Sequence, residues 1–413
     1  MKKQNITVIS SFPRKGEIHS QNLVGIASYA KNTLLSLKKF HKGNIEVLAE
    51  TVEDEDSYKE KGIIVKRVWE RNSISIFPKL LSEINKSKSD KILIEFELAM
   101  FGNMLYLLPF PLFLLMLKLQ GKKIYIVLHQ VIKDINDISG HINLRKDSSK
   151  SIVLNFGIRT FYKILAFAAN KIIVFDQVLE DNFEEITGSK NVVVIPHGIE
   201  AFSKKLTKQI AKKKLGIKKN KFVILLFGFV AWYKGTDLLI HLVKKQLSNG
   251  HKKDFELVIA GGPNPNHLDK AYYRRYLRSI ENECKKNGFI FTGFVPEKQI
   301  PYYFQASDLV VLPYRTLMSA SGPLSLALSF KKPFLLSKTL KGVLNTKDFE
   351  AQLLKNKIKP ENLYFESEKD FKTKVTKFKK NLSFRKKIAA LSSSISRERN
   401  WNNIGKAYYE ELL

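Results

Sequence analysis

The stretch at 222–235 constrains the fold of this 413-residue chain more than any other. Its first part, 222–227, is a continuous apolar run, which is typical of a strand buried on both faces of a parallel sheet. Gly228 ends the run, and a helical pattern begins at Thr236. A helix start in this position can bind phosphate through its free N–H groups, and Lys234 would add a full positive charge. From these residues alone, a plain strand-turn-helix with a solvated lysine is an equal alternative.

Strands and helices alternate in both halves of the sequence. Further apolar runs of strand length occur at 256–260, 289–294, 308–312 and 332–336, and in the first half at 6–10, 45–48, 63–68, 92–96, 124–128, 172–175 and 192–195. Helix-like segments separate most of them. This alternation predicts an α/β fold with parallel sheets, in which ligands bind beyond the carboxyl ends of the strands.

The number of strands is enough for two sheets, and a length of 413 residues also favours two domains. We place the boundary at the sequence IPHG, 195–198, which gives domains at 1–198 and 199–398. Residues 204–219 contain eight lysines and no acidic residue, which suits an exposed hinge region better than a core. For His197, inside the boundary sequence, we favour a structural role.

Several motifs follow one another along nearly the whole chain. They are GIASYAKN from Gly25, VLHQV at 127–131, VIPHGIE at 194–200, FGFVAWYKG at 227–235, LVIAGG at 257–262, FTGFVPEKQIPYYFQASDLVVLPYR at 291–315, SGPLSLALSFKKPFLL at 321–336 and the terminal NWNNIGKAYYEELL. In this order and spacing the sequence resembles the retaining glycosyltransferases of the GT-B fold, family four (glycosyl transferases group 1). The resemblance implies two Rossmann-like, doubly wound domains facing across a cleft, with the nucleotide sugar on the second domain and the acceptor on the first. It also implies that a terminal helix, 399–413, packs back on the first domain.

The resemblance also implies roles for individual residues. Lys234 would stabilise the negative charge that grows on the leaving diphosphate, and His129 would face the donor sugar as a second catalytic residue. The other donor-binding candidates are Gly228, Phe229, Gly261, Gly262, Val295, Arg315, Ser321, Gly322 and Leu324, and the acceptor-side candidates are Gly25, Glu95 and Glu97.

Several of these candidates have a structural alternative. His129 could be a buried histidine with satisfied hydrogen bonds. Arg315 could bind phosphate or simply pair with an acid such as Asp308. Glu95 and Glu97 alternate at the end of a strand, so we expect them to share a face and to point toward the cleft.

The sequence departs from the pattern of the family at three positions. Many relatives carry two glutamates around the glycine-rich helix start, one for the hydroxyls of the donor sugar and one for the ribose. Met318 and Leu326 stand there in this chain, and Phe229 stands where relatives often have arginine. The donor-sugar and ribose contacts, and with them the identity of the donor, stay open.

The predicted function is transfer of a hexosyl group from a nucleotide sugar to a lipid-linked or polysaccharide acceptor, with retention, in cell-envelope glycan synthesis. A catalytically silent GT-B protein that binds nucleotide sugar or glycan as a partner subunit is one alternative, which the missing glutamates favour. An unrelated nucleotide-binding oxidoreductase is another, but the fingerprint G-x-G-x-x-G follows neither candidate first strand.

No cofactor or metal is predicted, because the nucleotide sugar is a substrate and the eight histidines show no ligand spacing. The single cysteine, Cys284, cannot form an internal disulfide. We expect a cytoplasmic protein, since no secretory signal precedes Ile6. The apolar run at 105–117 has thirteen residues and two prolines, too few to span a bilayer. We expect it to be a buried segment of the first domain, with a surface patch that dips into the membrane as the alternative.

The charge of the chain is extreme, with 70 basic against 39 acidic residues and a net charge of +31. Lysine collects at 204–219 and 369–387. We find no nucleic-acid-binding motif. The resemblance implies that an anionic membrane surface at the inner leaflet is the natural partner, because many acceptors of such enzymes are lipid-linked. An anionic polymer, or a compositional bias of the source, is the alternative explanation of this charge.

Overall fold

The computed structural model describes residues 4–17, 26–53, 56–202, 206–247, 254–264 and 267–413. Its first sheet has eight strands: β1 Ile6–Ile9, β2 Ile45–Glu50, β3 Tyr58–Glu60, β4 Ile63–Trp69, β5 Lys91–Phe96, β6 Lys123–Leu128, β7 Lys171–Val174 and β8 Val192–Val194. Their order is β3-β4-β2-β1-β5-β6-β7-β8. All neighbours are parallel except the β3–β4 pair, which is antiparallel. The helices of this part are α1 Ile26–Leu37, α2 Ile76–Lys86, α3 Phe110–Leu119, α4 Ser139–Ile142, α5 Ser149–Ala168 and α6 Gln177–Thr187.

The second sheet has six parallel strands: β9 Phe222–Phe227, β10 Phe255–Ala260, β11 Ile290–Phe291, β12 Leu309–Leu312, β13 Phe334–Ser337 and β14 Tyr364–Phe365. Their order is β11-β10-β9-β12-β13-β14. The accompanying helices are α7 Lys208–Lys214, α8 Thr236–Leu247, α9 Ala271–Asn287, α10 Ile300–Ala306, α11 Gly322–Ser329, α12 Lys347–Lys355, α13 Glu368–Lys380, α14 Leu382–Glu398 and α15 Trp401–Leu412. The two sheets confirm the predicted α/β class with doubly wound parallel domains.

Strand order fixes where each sheet can bind a ligand. In the second sheet β9 lies between β10 and β12, and in the first sheet β1 lies between β2 and β5. The chain therefore reverses its winding direction at β9 and at β1, and loops diverge there beyond the carboxyl ends of the strands. The turn after β9 and the loop after β12 meet at one such point.

Each sheet has its own apolar core. The first core extends from Ile6 to Ile195 and takes in three residues of α15, including Tyr408. The second extends from Ile199 to Ile395. In the first core the hydroxyl groups of Tyr408 and Tyr29 are 2.8 Å apart. The terminal helix α15 thus packs in the first core, although it follows the second domain in the sequence.

The chain passes between the two cores twice, and the two crossings lie side by side. Ile199 N–H donates to Arg399 O at 2.7 Å, and Ile199 also forms a parallel bridge with Asn400. A side chain at Gly198 would overlap the indole ring of Trp401. His197 Nδ1 lies 2.7 Å from Gly198 O. The crossings are therefore tightly packed against each other.

The lysine-rich segment after the first crossing is less open than its composition indicates. Residues 203–205 lie outside the described part of the chain. Lys208 pairs with Asp308, and the buried Lys212 donates to the carbonyl groups of Lys219 and Lys221. Long lysine stems can pack on apolar surface while the amine reaches a polar partner. Helix α7 is consequently packed on the second domain rather than forming a free linker.

The apolar run at 105–117 is only half buried, so the expectation of a wholly buried segment is wrong. It forms a short turn of 3₁₀ helix, Met104–Leu107, followed by α3. Phe110 and Leu114 face the core, whereas Leu108 and Leu112 are exposed. Among the described residues, α5 is the one helix long and apolar enough to cross a membrane by length and composition.

Candidate active site

The turn after β9 holds Lys234 in a confined position. Gly228 ends the strand at φ +107° and Gly235 follows the lysine at φ +69°, backbone conformations that favour glycine. A side chain at Gly235 would overlap the carbonyl group of Pro313. A Cβ on Gly228 would lie 3.3 Å both from Lys234 Nζ and from Pro323 Cγ. The amine of Lys234 is therefore held beside the first turn of α11.

The start of α11 offers backbone donors next to this amine. Ser321 Oγ accepts a hydrogen bond from Leu324 N–H at 3.3 Å and lies 3.2 Å from the hydroxyl of Tyr314. The N–H of Leu324, which we expected to bind phosphate, is therefore already paired with the cap. Pro323 has no N–H, so the N–H groups of Ser321 and Gly322 are the ones available at this helix start. A Cβ on Gly322 would meet nothing within 4 Å, so the space in front of it is open.

Lys234 differs from the neighbouring arginine in its electrostatics. Burial lowers the pKa of Lys234 to about 8, and no acidic side chain pairs with it among the described residues. The guanidinium of Arg315 binds Asp237 with two hydrogen bonds of 2.9 and 2.6 Å and stacks 4.8 Å from the ring centre of Trp232. The acid that pairs with Arg315 is thus Asp237 and not Asp308, which instead pairs with Lys208. Lys234 is the cation of this turn that a ligand can use.

The lowered pKa of Lys234 predicts a pH dependence of nucleotide binding. A diphosphate favours the protonated amine, so affinity should level off well below pH 8 and fall roughly tenfold per pH unit above it. Isothermal titration calorimetry with nucleoside diphosphate checks this. Lys234→Arg serves as the control, because a guanidinium stays charged throughout this range. A flat profile for the wild-type protein would contradict a direct contact.

His129 lies in the first domain, directly after β6, and it is largely enclosed. Its Nε2 is 2.8 Å from Glu95 Oε2, and its ring packs edge-on against Tyr29 and Phe175. Burial lowers the pKa of His129 to about 4 and raises the pKa of Glu95 well above its ordinary value. The pair is therefore favoured in its neutral form. The geometry matches the hydrogen-bonded buried histidine of the structural alternative, and a contact of His129 with donor sugar stays a prediction.

The two glutamates at the end of β5, Glu95 within the strand and Glu97 just after it, do not share one environment. Glu95 is 0% exposed, and its Oε1 has no hydrogen-bond partner among the described side chains. Glu97 lies beyond Phe96, the last strand residue, and accepts from Gln130 Nε2 at 3.1 Å. The expectation that Glu95 faces the cleft is wrong, because alternation holds only within the strand. Burial of Tyr233 in the second domain, and then the negative charge of Glu97, raise the pKa of Tyr233 to about 12. The acceptor-side role of Glu97 stays a prediction.

The remaining donor-side candidates form the edge of the site. A side chain at Gly261 would overlap the carbonyl group of Gly228, and a Cβ on Gly262 would lie 2.6 Å from Phe294 N. Val295 is buried, whereas Phe229 is 41% exposed at the end of β9. The two glycines thus allow close packing of neighbouring strand ends. Gly25 lies outside the described residues.

Apolar side chains replace the two expected carboxylates. Met318 packs against a small cluster of Ile132, Ile135 and Ile138 from the first domain. Leu326 packs against the second core. Neither position brings a hydrogen-bond acceptor to the site.

The two domains also touch through the loop after β6 and through α4. Val131 N–H donates to Met318 O at 2.8 Å, and Tyr272 Oη donates to His141 O at 3.0 Å. The ring centre of His141 is 5.1 Å from that of Tyr233. The sequence gives no local signal for these contacts, because they depend on how the domains meet.

Two cavities differ in their relation to this site. A cavity of 260 Å³ lies between the domains and is lined by residues that include Arg315 and Met318. A larger groove of 830 Å³ lies on β3, β4 and α2, at the far edge of the first sheet. The larger groove is remote from Lys234, so we place the candidate active site between the domains.

Comparison with known proteins identifies this arrangement. Residues 207–388 match the sequence model of a family described as glycosyl transferases group 1. The structure is similar to sucrose-phosphate synthase from Thermosynechococcus elongatus, with a TM-score of 0.70, 14% identity and coverage of 99% of this chain and 98% of the other. The chain has the GT-B fold, and within its second domain the sequence matches the group 1 glycosyltransferase model.

Further solved structures share the GT-B architecture over their whole length. A UDP-forming alpha, alpha-trehalose-phosphate synthase from Burkholderia xenovorans has a TM-score of 0.66 at 13% identity, covering 99% of this chain and 98% of the other. The Anabaena protein HepE, in complex with UDP and glucose, has a TM-score of 0.66 at 15% identity, covering 99% of each chain. No curated protein matches the sequence. At these identities the structures show the fold, which confirms the predicted architecture.

Proposed function

We propose that the chain transfers a hexosyl group from a nucleotide sugar, with retention of configuration, to a glycan or lipid-linked acceptor in cell-envelope synthesis. We place the protein in the cytoplasm, on the inner face of the membrane. The observation that carries the proposal is Lys234, an enclosed amine without an acidic partner beside the start of α11. It lies in the domain that matches the glycosyltransferase family.

The geometry supports a specific role for the positively charged and N–H groups of the second domain in the transfer. As the bond between the sugar and the diphosphate breaks, negative charge grows on the leaving phosphate. Lys234 and the N–H groups of Ser321 and Gly322 would stabilise that charge. Positive charge from the protein would take the place of a metal ion.

Two residues of the first domain bear on whether the transfer uses a covalent nucleophile of the protein. His129 and Glu95 are both favoured in the neutral form, and Glu95 has no exposed surface. Neither has the exposed, ionised character of a covalent nucleophile. We therefore propose that the acceptor hydroxyl attacks directly and that the donor phosphate helps to remove its proton. Glu97 is the carboxylate that we propose to contact the acceptor.

Thermal-shift measurements with UDP, GDP and ADP sugars test the proposal. A donor that binds only the folded protein raises the melting temperature by mass action. We expect one base to give the largest shift, followed by turnover of that donor with a membrane extract. Several solved structures of this fold are named as sugar-phosphate synthases, so a soluble sugar phosphate belongs in the acceptor panel. No shift with any nucleotide or nucleotide sugar would contradict the proposal.

The packing of Met318 and Leu326 favours a second candidate, a GT-B protein that binds nucleotide sugar or glycan without catalysing transfer. Both side chains are apolar and packed, so they supply no hydrogen-bond acceptor for donor hydroxyls or ribose. Binding of a nucleotide sugar without turnover on any acceptor of the panel would support this candidate over the enzyme.

A further inference from the structure

The first domain exposes an unusual amount of apolar surface on two helices. The residues are Met104, Leu105, Leu108, Leu112, Met116 and Leu119 on and before α3, and Ile152, Val153, Leu154, Phe156 and Phe167 on α5. We call this set the apolar face. Leu119 is 88% exposed and Phe156 is 73% exposed. Single exposed apolar side chains are normal, but a contiguous group on neighbouring helices marks an interaction site.

The exposed residues follow helical spacing. Leu105, Leu108, Leu112, Met116 and Leu119 recur at intervals of three or four residues, which places them along one side of the segment. The opposite side of α3, which includes Phe113 and Leu117, is buried in the first core. Core packing therefore explains one side of α3 and leaves the other without a partner.

The apolar sides of the two helices are continuous. Helices α3 and α5 pack against each other. Lys118 Nζ lies 3.8 Å from the ring centre of Phe167 and donates to the carbonyl group of Phe167. These contacts bring the carboxyl ends of both helices together. Tyr162 and Leu165 of α5 are buried in the core, so α5 is anchored while Phe156 and Phe167 remain outside.

The two segments that carry the apolar face contain basic residues and no acidic ones, although Lys133 and Lys171 at their ends pair with Glu185 and Glu411 of other elements. The segment 98–133 contains no acidic residue and four lysines, and the segment 148–175 contains no acidic residue, three lysines and one arginine. Arg159 and Lys163 are exposed on α5 itself. A surface that combines exposed leucine and phenylalanine with an excess of lysine and arginine is complementary to anionic lipid.

We infer that the apolar face is a membrane-docking surface that inserts shallowly into a bilayer containing anionic lipid. The helices would lie in the headgroup region with their buried sides still in the core of the domain. The inference specifies which surface of the proposed enzyme contacts the membrane, and it rests on the proposed location at the inner face of the membrane. It differs from the expectation based on the lysines at 204–219, because Lys208 and Lys212 of that segment are engaged within the second domain.

Flotation of the full-length protein with vesicles tests the inference. One set of vesicles is pure phosphatidylcholine and the other contains phosphatidylglycerol as well. We expect flotation with the anionic vesicles, and a loss of about tenfold or more in vesicle affinity for the double variant Leu112→Asp/Phe156→Asp. Leu354→Asp is the matched control, because Leu354 is 82% exposed on α12 of the second domain. The control should float like the wild-type protein.

Two double variants, each of which removes two positive charges, distinguish the two candidate membrane-binding surfaces. Arg159→Gln/Lys163→Gln on α5 should weaken flotation, whereas Lys213→Gln/Lys214→Gln on α7 should leave it nearly unchanged. Equal loss for both pairs would overturn the assignment to α5. So would flotation of the Leu112→Asp/Phe156→Asp variant at the wild-type level, or equal recovery with both vesicle types.

Two further outcomes would assign the apolar face to something else. A wild-type dimer that the Leu112→Asp/Phe156→Asp variant converts to a monomer would make it a protein interface. Protein that stays with vesicles after alkaline carbonate extraction would make α5 a membrane span. Nucleotide-induced thermal shifts of the variant are independent of lipid, so loss of docking is distinguishable from failure of the proposed transferase function.

Discussion

Replacing Lys234 with alanine is expected to lower glycosyl transfer about a hundredfold or more, as for the loss of one donor that stabilises a developing anion. The amine is the cation next to the start of α11, and it has no acidic partner among the described side chains. Steady-state turnover with the donor found by thermal shift measures the effect. Turnover within about threefold of wild type would contradict the assignment.

The effect of the Lys234 side chain on the stability of the protein distinguishes a functional lysine from a structural one. Burial holds the pKa of Lys234 at about 8, below its ordinary value of 10.5, so the charged amine destabilises the folded protein at neutral pH. Lys234→Met should therefore raise the melting temperature of the ligand-free protein near pH 7. Because the folded protein releases this proton more readily, the difference should shrink as the pH rises from about 8 to 10. A lower melting temperature for this variant would indicate a structural role.

A side chain at Gly322 is expected to abolish nucleotide diphosphate binding without unfolding the protein. The space in front of Gly322 is open in the ligand-free structure, but a phosphate bound to the N–H groups of Ser321 and Gly322 would occupy it. We expect Gly322→Val to weaken binding about a hundredfold and Gly322→Ala to weaken it less, by calorimetry. The stability cost should be about 1 kcal/mol at most, since a branched residue before Pro323 disfavours helical angles.

Gly261→Ala provides the matched comparison for this glycine. A methyl group there would overlap the carbonyl group of Gly228, so the backbone must shift and the protein should lose several kcal/mol of stability. Unfolding by urea distinguishes the two cases. Equal destabilisation by Gly322→Val and Gly261→Ala would mean that the start of α11 is merely packed, with no ligand site in front of it.

The central strands could be predicted from the sequence because burial on both faces leaves a continuous apolar run. Residues 222–227 and 92–96 are examples, and they correspond closely to β9 and β5. The edge strand β3, Tyr58–Glu60, was missed because its sequence, YKE, has no apolar run. It pairs with β4 in an antiparallel arrangement, which local sequence does not specify.

The candidate site could be predicted only where its chemistry is local. Lys234 lies just before the start of α8 and Gly322 begins α11, so the alternation of elements located both positions, whereas the phosphate-binding role of Gly322 was implied by the resemblance. The pairing of Arg315 with Asp237 and the burial of Glu95 depend on tertiary packing. His141 reaches the second domain through α4, and its sequence context contains no turn or cap signal that points there.

The paired crossings between the domains limit how the cleft can open. Two covalent connections tied together at Ile199 and Arg399 restrict the relative motion of the domains more than one flexible linker would. The contacts of Val131 with Met318 and of His141 with Tyr272 add to this restraint. The two halves of the site are therefore aligned by connections that do not themselves have to bind a ligand.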